Sequence, residues 1–511
     1  MNNNTENNKR IAKNTLLLYC RMLFLMAVSL YTSRVVLNAL GVEDFGIYNV
    51  VGGVVAMFSV LSGSLSAAIS RFITYELGKG NLKNLNKIFS STVSIQFGLA
   101  GFVILLAETI GLWFLNVKMN IPEMRMEAAN WVFQFSIFTF AINLISIPYN
   151  ACIIAHEKMS AFAYISILEA IGKLTIAYLI IISPIDKLTF YSILMCLVSL
   201  IVRFTYGSYC KRHFSECSYH FVWDKQLLKH IFSFAGWNFI GATSAVLRDQ
   251  GGNIIINLFC GPAINAARGI AFQVNNAINQ FVVNFMTALN PQITKSYAIG
   301  NKEYMMTLIF QGARLSFYML LILSLPILLN THYILELWLK TVPEHTSIFV
   351  QLVLIFTLSE SISQPLITAM QATGRIRNYQ IIVGGLQLMN LPISYMLLRW
   401  GEAPETVIIV AICISQCCLM ARLILLRKMI GLSIKKYIKE VYINTILVTV
   451  LSAIIPFILI TNLKESHFNF FLSCVVTFIC IIIIIYHVGC NKNERKLIKN
   501  KIKFILKKYT R

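Results

Sequence analysis

The chain has 511 residues, 57% of them hydrophobic and 13% charged, with a mean hydropathy of +0.68. A soluble chain of that length would carry far more charge, so the composition excludes a soluble protein and reads as an integral membrane protein. The formal net charge of +22 would suggest nucleic acid in a soluble protein, but the basic residues here sit in short loops and tails between apolar runs, and no nucleic-acid partner is expected.

A helix crosses the roughly 30 Å hydrocarbon core with about 20 apolar residues. Such runs repeat along nearly the whole chain and do not alternate as barrel strands do, so the fold class is all-α. Fourteen transmembrane spans are predicted, at about 14–38, 45–72, 88–115, 128–154, 161–182, 189–209, 231–258, 263–290, 304–329, 346–371, 378–398, 406–426, 441–461 and 470–489. The first follows Lys9, Arg10 and Lys13 but lacks a small-residue cleavage site, and is read as part of the mature protein. An even number puts both termini on one side. Loops on that side carry, among others, Lys79, Lys83, Lys87, Lys211, Arg212, Lys295, Lys302, Arg375 and Arg427, while the opposite loops offer little beyond Lys118, Arg125, Lys187, Lys340, Arg399 and Lys464, so both termini are expected in the cytoplasm. Twelve scattered cysteines imply no disulfide framework.

Sliding the chain by 220 positions places Gly41 on Gly261, Val54 on Val274, Ala68 on Ala288, Ile73-Thr74 on Ile293-Thr294 and Gly80-Asn81 on Gly300-Asn301, without a gap. An internal repeat follows. The expected organisation is a six-helix half at 1–215, a second at 216–430, two extra helices at 431–490 and a basic tail at 491–511. Halves with an even number of spans enter the membrane in the same direction, which implies a pseudo-twofold axis along the membrane normal. The tail is expected to lie on anionic lipid.

Polar groups inside spans are costly and therefore informative. Helix 7 contains Arg248-Asp249-Gln250-Gly251-Gly252-Asn253, with Arg248 a cavity-lining candidate, Asp249 an ion-coupling candidate and Gly251 and Gly252 a hinge. The competing reading is an internally neutralised pair with glycines for packing. On helix 8, Gln273, Asn276, Gln280 and Asn284 share one face, a donor-and-acceptor stripe suited to sugar hydroxyls; Ser59, Ser62, Ser66 and Ser70 recur at the same spacing on helix 2, where packing between helices is the favoured reading. Arg21 on helix 1 and Arg268 on helix 8 join Arg248 as candidates for gripping phosphate, whereas Arg34 and Arg314 read as snorkelling or paired. Glu169 and Lys173 neutralise one another at i, i+4; Glu360 has no such neighbour and is the second ion-coupling candidate, for a proton or sodium gradient. Cys210, His213, Cys217 and His220 have ligand chemistry but lie in a linker, and no metal or other cofactor is expected. No loop is large enough for a catalytic domain, so an enzyme is not expected.

The Ser33–Leu37 segment, Gly41 to Tyr48 after it and Leu337-Trp338-Leu339 closing helix 9, together with two six-helix halves plus two helices, resemble Wzx-like polysaccharide flippases of the multidrug/oligosaccharidyl-lipid/polysaccharide exporter superfamily. The resemblance covers essentially the whole chain. It implies translocation of undecaprenyl-pyrophosphate-linked oligosaccharide across the bacterial cytoplasmic (inner) membrane by alternating access, for lipopolysaccharide or capsule, with the protein working as a monomer. A cation-coupled multidrug exporter of the same superfamily is the alternative. A membrane polysaccharide polymerase or glycosyltransferase is the third reading.

The charge asymmetry makes a direct prediction. A cysteine placed at Lys83 reacts with an impermeant thiol reagent from the cytoplasmic side of inverted vesicles, and labelling from outside intact cells would reverse the orientation.

Overall fold

The computed structural model describes residues 2–56, 58–119, 121–339, 342–462, 466–491, 494–496 and 499, and among these the chain is all helix and turn, without strands. Lipid supplies no hydrogen-bond partners for the backbone, and helices satisfy theirs internally. The helices are α1 (Glu6–Gly41), α2 (residues 42–56 and Ser59–Lys79), α3 (Leu82–Val117), α4 (Glu123–Ala155), α5 (Met159–Ile182), α6 (Lys187–His213), α7 (225–260), α8 (262–298), α9 (Lys302–Leu329), α10 (Thr346–Thr373), α11 (Arg377–Arg399), α12 (Thr406–Ile430), α13 (Ile434–Asn462) and α14 (His467–Gly489). Eleven are apolar enough to span a membrane on composition alone; α2, α7 and α8, which carry the polar stripes and the charged cluster, complete the set. Most of the basic tail at 491–511 lies outside the described residues.

The repeat is written in the backbone. Gly41 joins α1 to α2 at φ 82°, ψ 169°, and Gly261 joins α7 to α8 at φ 82°, ψ 178°. Both glycines sit in a region that a side chain makes strained, so the helix breaks at a single residue and resumes at once. Gly80 and Gly300 repeat the correspondence at φ 73° and 75°, ending α2 and α8 with left-handed caps.

Contacts group the chain into two compact units, Met1–Thr243 with Thr287–Asn301, and Ser244–Met286 with Lys302–Arg511. α7 therefore begins in the first unit and continues in the second, and α8 does the reverse. The first unit packs Ile69, Ile73, Phe89, Cys152, Ile153 and Ala155 in its core, contributed by α2, α3 and α4. At the end away from its basic loops, Arg125 ties the first turn of α4 to Asp44 and, at 2.7 Å, to Asp186, the N-cap of α6. Burial alone would raise the Asp186 pKa, but the Thr189 N–H and Arg125 outweigh it and hold the carboxyl below its ordinary value.

In the second unit α9 anchors the two helices outside the repeat. Buried Arg314 donates to the Gly489 carbonyl at 3.2 Å and pairs with Glu494 at 2.7 Å, and Tyr318 bonds to Asn444 on α13. Arg314 is thus paired, as one of its two readings had it.

The glycine turns give a stability prediction. Gly261→Ala forces a side chain into this backbone region at a cost on the order of 1–3 kcal/mol. Its melting temperature in detergent falls, while Gly269→Ala, in open helical surroundings, melts like the parent.

Candidate functional site

The described residues bring four of the predicted side chains together in the second unit. Arg248 Nε donates to Asp249 at 2.8 Å, with the guanidinium 5.1 Å from the centre of the Phe356 ring. One helix on, buried Arg268 donates from Nη1 to the Asn253 side-chain oxygen and from Nη2 to the Asp249 backbone carbonyl at 3.2 Å, while stacking over Phe272. Its Nε, also buried, has no partner. The helix pair around Gly261 is thus cross-linked by a guanidinium, an amide and a backbone carbonyl.

Gly251 and Gly252 do not break α7; the helix runs through both, and the break falls ten residues on at Gly261. Their role in this structure is close approach. A Cβ on Gly251 would meet Leu391 at 2.3 Å, and one on Gly252 would meet the Arg268 guanidinium at 2.9 Å. The absent side chain at 252 is what lets Arg268 reach α7.

Glu360 also departs from expectation. It has partners that sequence spacing could not reveal: Ser415 donates to it at 2.5 Å and Arg422 lies 3.7 Å away, both on α12. Arg422, 1% exposed, also bonds to Tyr379 on α11, and its Nε and Nη1 lack hydrogen-bond partners. A polar chain continues from Ser415 through Ser359 and Gln416 to Tyr442 on α13. Sequence reasoning misses Arg422; the signal available for it is a lone arginine inside the apolar run of α12. Ion coupling at Glu360 therefore requires the Arg422 pair to loosen, and at Asp249 the Arg248 pair.

The amide stripe on α8 divides. Gln273, Asn276 and Gln280 are exposed, whereas Asn284 is buried and donates to the Gln280 carbonyl of its own helix at 2.8 Å. Asn275, beside the stripe, accepts from Thr357.

Arg21 lies in the first unit on α1, 4.3 Å above the Phe162 ring of α5 and within electrostatic reach of Glu169 and Tyr206. Glu169 and Lys173 pair at 2.6 Å. The first unit also has a cavity of about 210 Å³ lined by Tyr48, Gly52, Val55, Ser136, Thr139, Phe140, Asn143, Ser192 and Met195, hydroxyls and an amide with no charge. Under the 220-residue repeat Tyr48 is the counterpart of Arg268. The same fold position carries a neutral phenol in one unit and a guanidinium in the other.

Charge counting decides what the second-unit cluster can hold. Arg248, Arg268 and Arg422 against Asp249 and Glu360 leave one net positive charge, with the three guanidiniums and Glu360 largely shielded from water and Asp249 partly exposed. Such a site favours an anion over a cation. Among the described residues no group of three His, Cys, Asp or Glu side chains is arranged to hold a metal.

The sequence pattern of the family described as "Polysaccharide biosynthesis protein" matches residues 11–297, and the MatE pattern matches residues 251–396. No curated protein matches. Among solved structures, an outward-facing multidrug resistance MATE family transporter of the MOP superfamily superposes with a TM-score of 0.72 at 13% identity, over 83% of this chain and 96% of that one. The Vibrio cholerae MATE transporter VcmN in its bent form gives 0.71 at 14%, over 84% and 98%. A Pyrococcus furiosus MOP superfamily transporter, described as having a binding pocket of reversed polarity, gives 0.68 at 13%, over 82% and 96%. These likenesses show a shared transporter fold.

Breaking the buried Glu360–Arg422 pair from one side leaves an uncompensated charge, costing on the order of 3–5 kcal/mol. Glu360→Leu is expected to melt well below the parent in detergent, and Glu360→Leu with Arg422→Leu to recover most of the loss. Equal melting of the single variant and the parent would remove the pair from the stabilising contacts.

Proposed function

The chain belongs to the polysaccharide biosynthesis protein family, and from that premise we propose that this membrane transporter is a flippase for polyprenyl-pyrophosphate-linked oligosaccharide. It carries the head group from the cytoplasmic to the outer leaflet of the inner membrane by alternating access, with both termini in the cytoplasm. The net positive cluster of Arg248, Asp249, Arg268, Glu360 and Arg422 carries this reading. A pyrophosphate is multiply anionic, and leaving water is tolerable for it only where fixed cations replace its hydration. Exposed Gln273, Asn276 and Gln280 on the same helix as Arg268 offer both donors and acceptors to sugar hydroxyls. The polyprenyl tail stays in lipid, so the protein has to house only sugars and phosphates.

A multidrug exporter is the second reading, favoured by the MatE match over 251–396. The cluster weighs against it, because a cationic drug would meet a net positive site.

Deleting the protein from its host separates the two. Lipid-linked oligosaccharide is expected to accumulate on the cytoplasmic leaflet with drug susceptibility unchanged, and Arg248→Ala, present in the membrane at normal level, is expected not to restore surface glycan. A deletion strain that keeps its surface polysaccharide and becomes sensitive to cationic drugs would establish the exporter instead.

A further inference from the structure

The strongest ionic assembly outside the cluster lies in the first unit, at the end carrying its basic loops. Glu157 sits in the three-residue turn between α4 and α5, and its side chain is 1% exposed. Its Oε1 accepts from Lys295 Nζ at 2.6 Å and its Oε2 from Gln292 Nε2 at 2.6 Å, with Arg10 Nε 3.3 Å away. Asn14 Nδ2 donates to the Glu157 backbone carbonyl at 3.2 Å. Glu157 holds φ 58°, a left-handed conformation uncommon outside glycine. Backbone geometry of that kind persists only where surrounding contacts over-determine it. Here the contacts are the two cations, the Gln292 amide and the Asn14 amide.

What these residues join matters more than their number. Arg10 and Asn14 open α1, Glu157 ends α4, and Gln292 and Lys295 close α8. α8 comes from the second copy of the repeat, yet its last turns, 287–301, pack within the first unit. The packing there is tight: a Cβ on Gly78 of α2 would meet Ala298 at 3.0 Å and the Lys295 backbone at 3.1 Å, and Leu18, Met159 and Ala288 form one apolar cluster. A carrier that alternates access must hold one end shut while the other is open, and then release it. At this end α1, α2, α5 and α8 are held together while Lys295 and Gln292 remain on Glu157.

We propose that Glu157, Lys295, Gln292 and Arg10 form an ionic gate that holds the basic-loop end closed, and that withdrawal of the end of α8 from Glu157 is the step that opens it. A buried carboxylate makes the gate bistable. While bonded, Glu157 is fully compensated; once α8 leaves, its remaining Arg10 contact, half-exposed and longer, compensates it only in part, so intermediate positions are disfavoured. Gating of this kind does not depend on which cargo is carried.

The test is a spin-label distance measurement in proteoliposomes without glycan, with labels on cysteines at His213 and Ile299. Both positions are exposed at this end of the first unit and outside the gate, and exposed Cys20, Cys413 and Cys417 are replaced. The parent is expected to give one dominant distance. Glu157→Gln, or Lys295→Gln should the first variant fail to fold, is expected to raise the fraction at a second distance roughly threefold or more. Exchanging the charges, Glu157→Lys with Lys295→Glu, is expected to return it towards the parent value. An unchanged distribution in a folded Gln variant, or a charge exchange no closer to the parent than the Gln variant, would overturn the gate. Because no cargo is present, failure here leaves the flippase reading untouched, and failure of that reading leaves this measurement valid.

Discussion

A charge placed in hydrocarbon has to bring its compensation with it, and that constraint organises this molecule more than any apolar contact. Lipid is as apolar as leucine, so burying leucine between helices gains little, and the polar contacts set which helices stay together. Arg268 fastens α8 to α7 through Asn253 and a backbone carbonyl, Glu360 and Arg422 fasten α10 to α12, Arg314 fastens α9 to the exit of α14, and Lys295 fastens the end of α8 to the α4–α5 turn. In the second unit the compensation is incomplete. The second-unit cluster keeps one positive charge in excess and leaves Arg268 Nε and two Arg422 nitrogens without hydrogen-bond partners. Under the proposed flippase function, those unspent donors are where an anionic head group would gain.

The two copies of the repeat have kept one backbone and diverged in chemistry. Gly41 and Gly261 turn the chain through the same dihedral angles, and Gly80 and Gly300 end the following helices alike. Yet Tyr48 lines a neutral hydroxyl cavity where its counterpart Arg268 anchors a charged cluster. Conserving the glycines preserves the bend, since other residues cannot take that backbone without strain. Side chains around it are free to change, and recognition is expected to reside in the copy that became charged.

Most of the fold was legible in the sequence because it depends on local pattern. Span length, loop charge and a gap-free 220-residue offset are each readable along the chain, and the offset picked out both turning glycines. The site was legible only in part. Arg248, Asp249 and Arg268 could be marked as anomalous, but their partners could not, since pairing is decided between helices distant in sequence. Glu360 reads as isolated in the sequence although Arg422 lies beside it, and Gly251-Gly252 reads as a hinge although the space they leave is filled by Leu391 and Arg268. Glu157 gives no sequence signal, because its partners Arg10, Gln292 and Lys295 lie more than a hundred residues away.

Head-group charge is the property on which the account turns, and translocation in proteoliposomes measures it directly. Two lipids bearing the same oligosaccharide, one through a polyprenyl pyrophosphate and one through a neutral linkage, are compared for the rate at which the glycan reaches the opposite leaflet. The account predicts that the charged lipid moves faster by about tenfold or more, equivalent to ~1.4 kcal/mol of charge-assisted bonding, and that Arg268→Gln erases most of the difference. Equal rates for the two lipids, unaltered by Arg268→Gln, would contradict it.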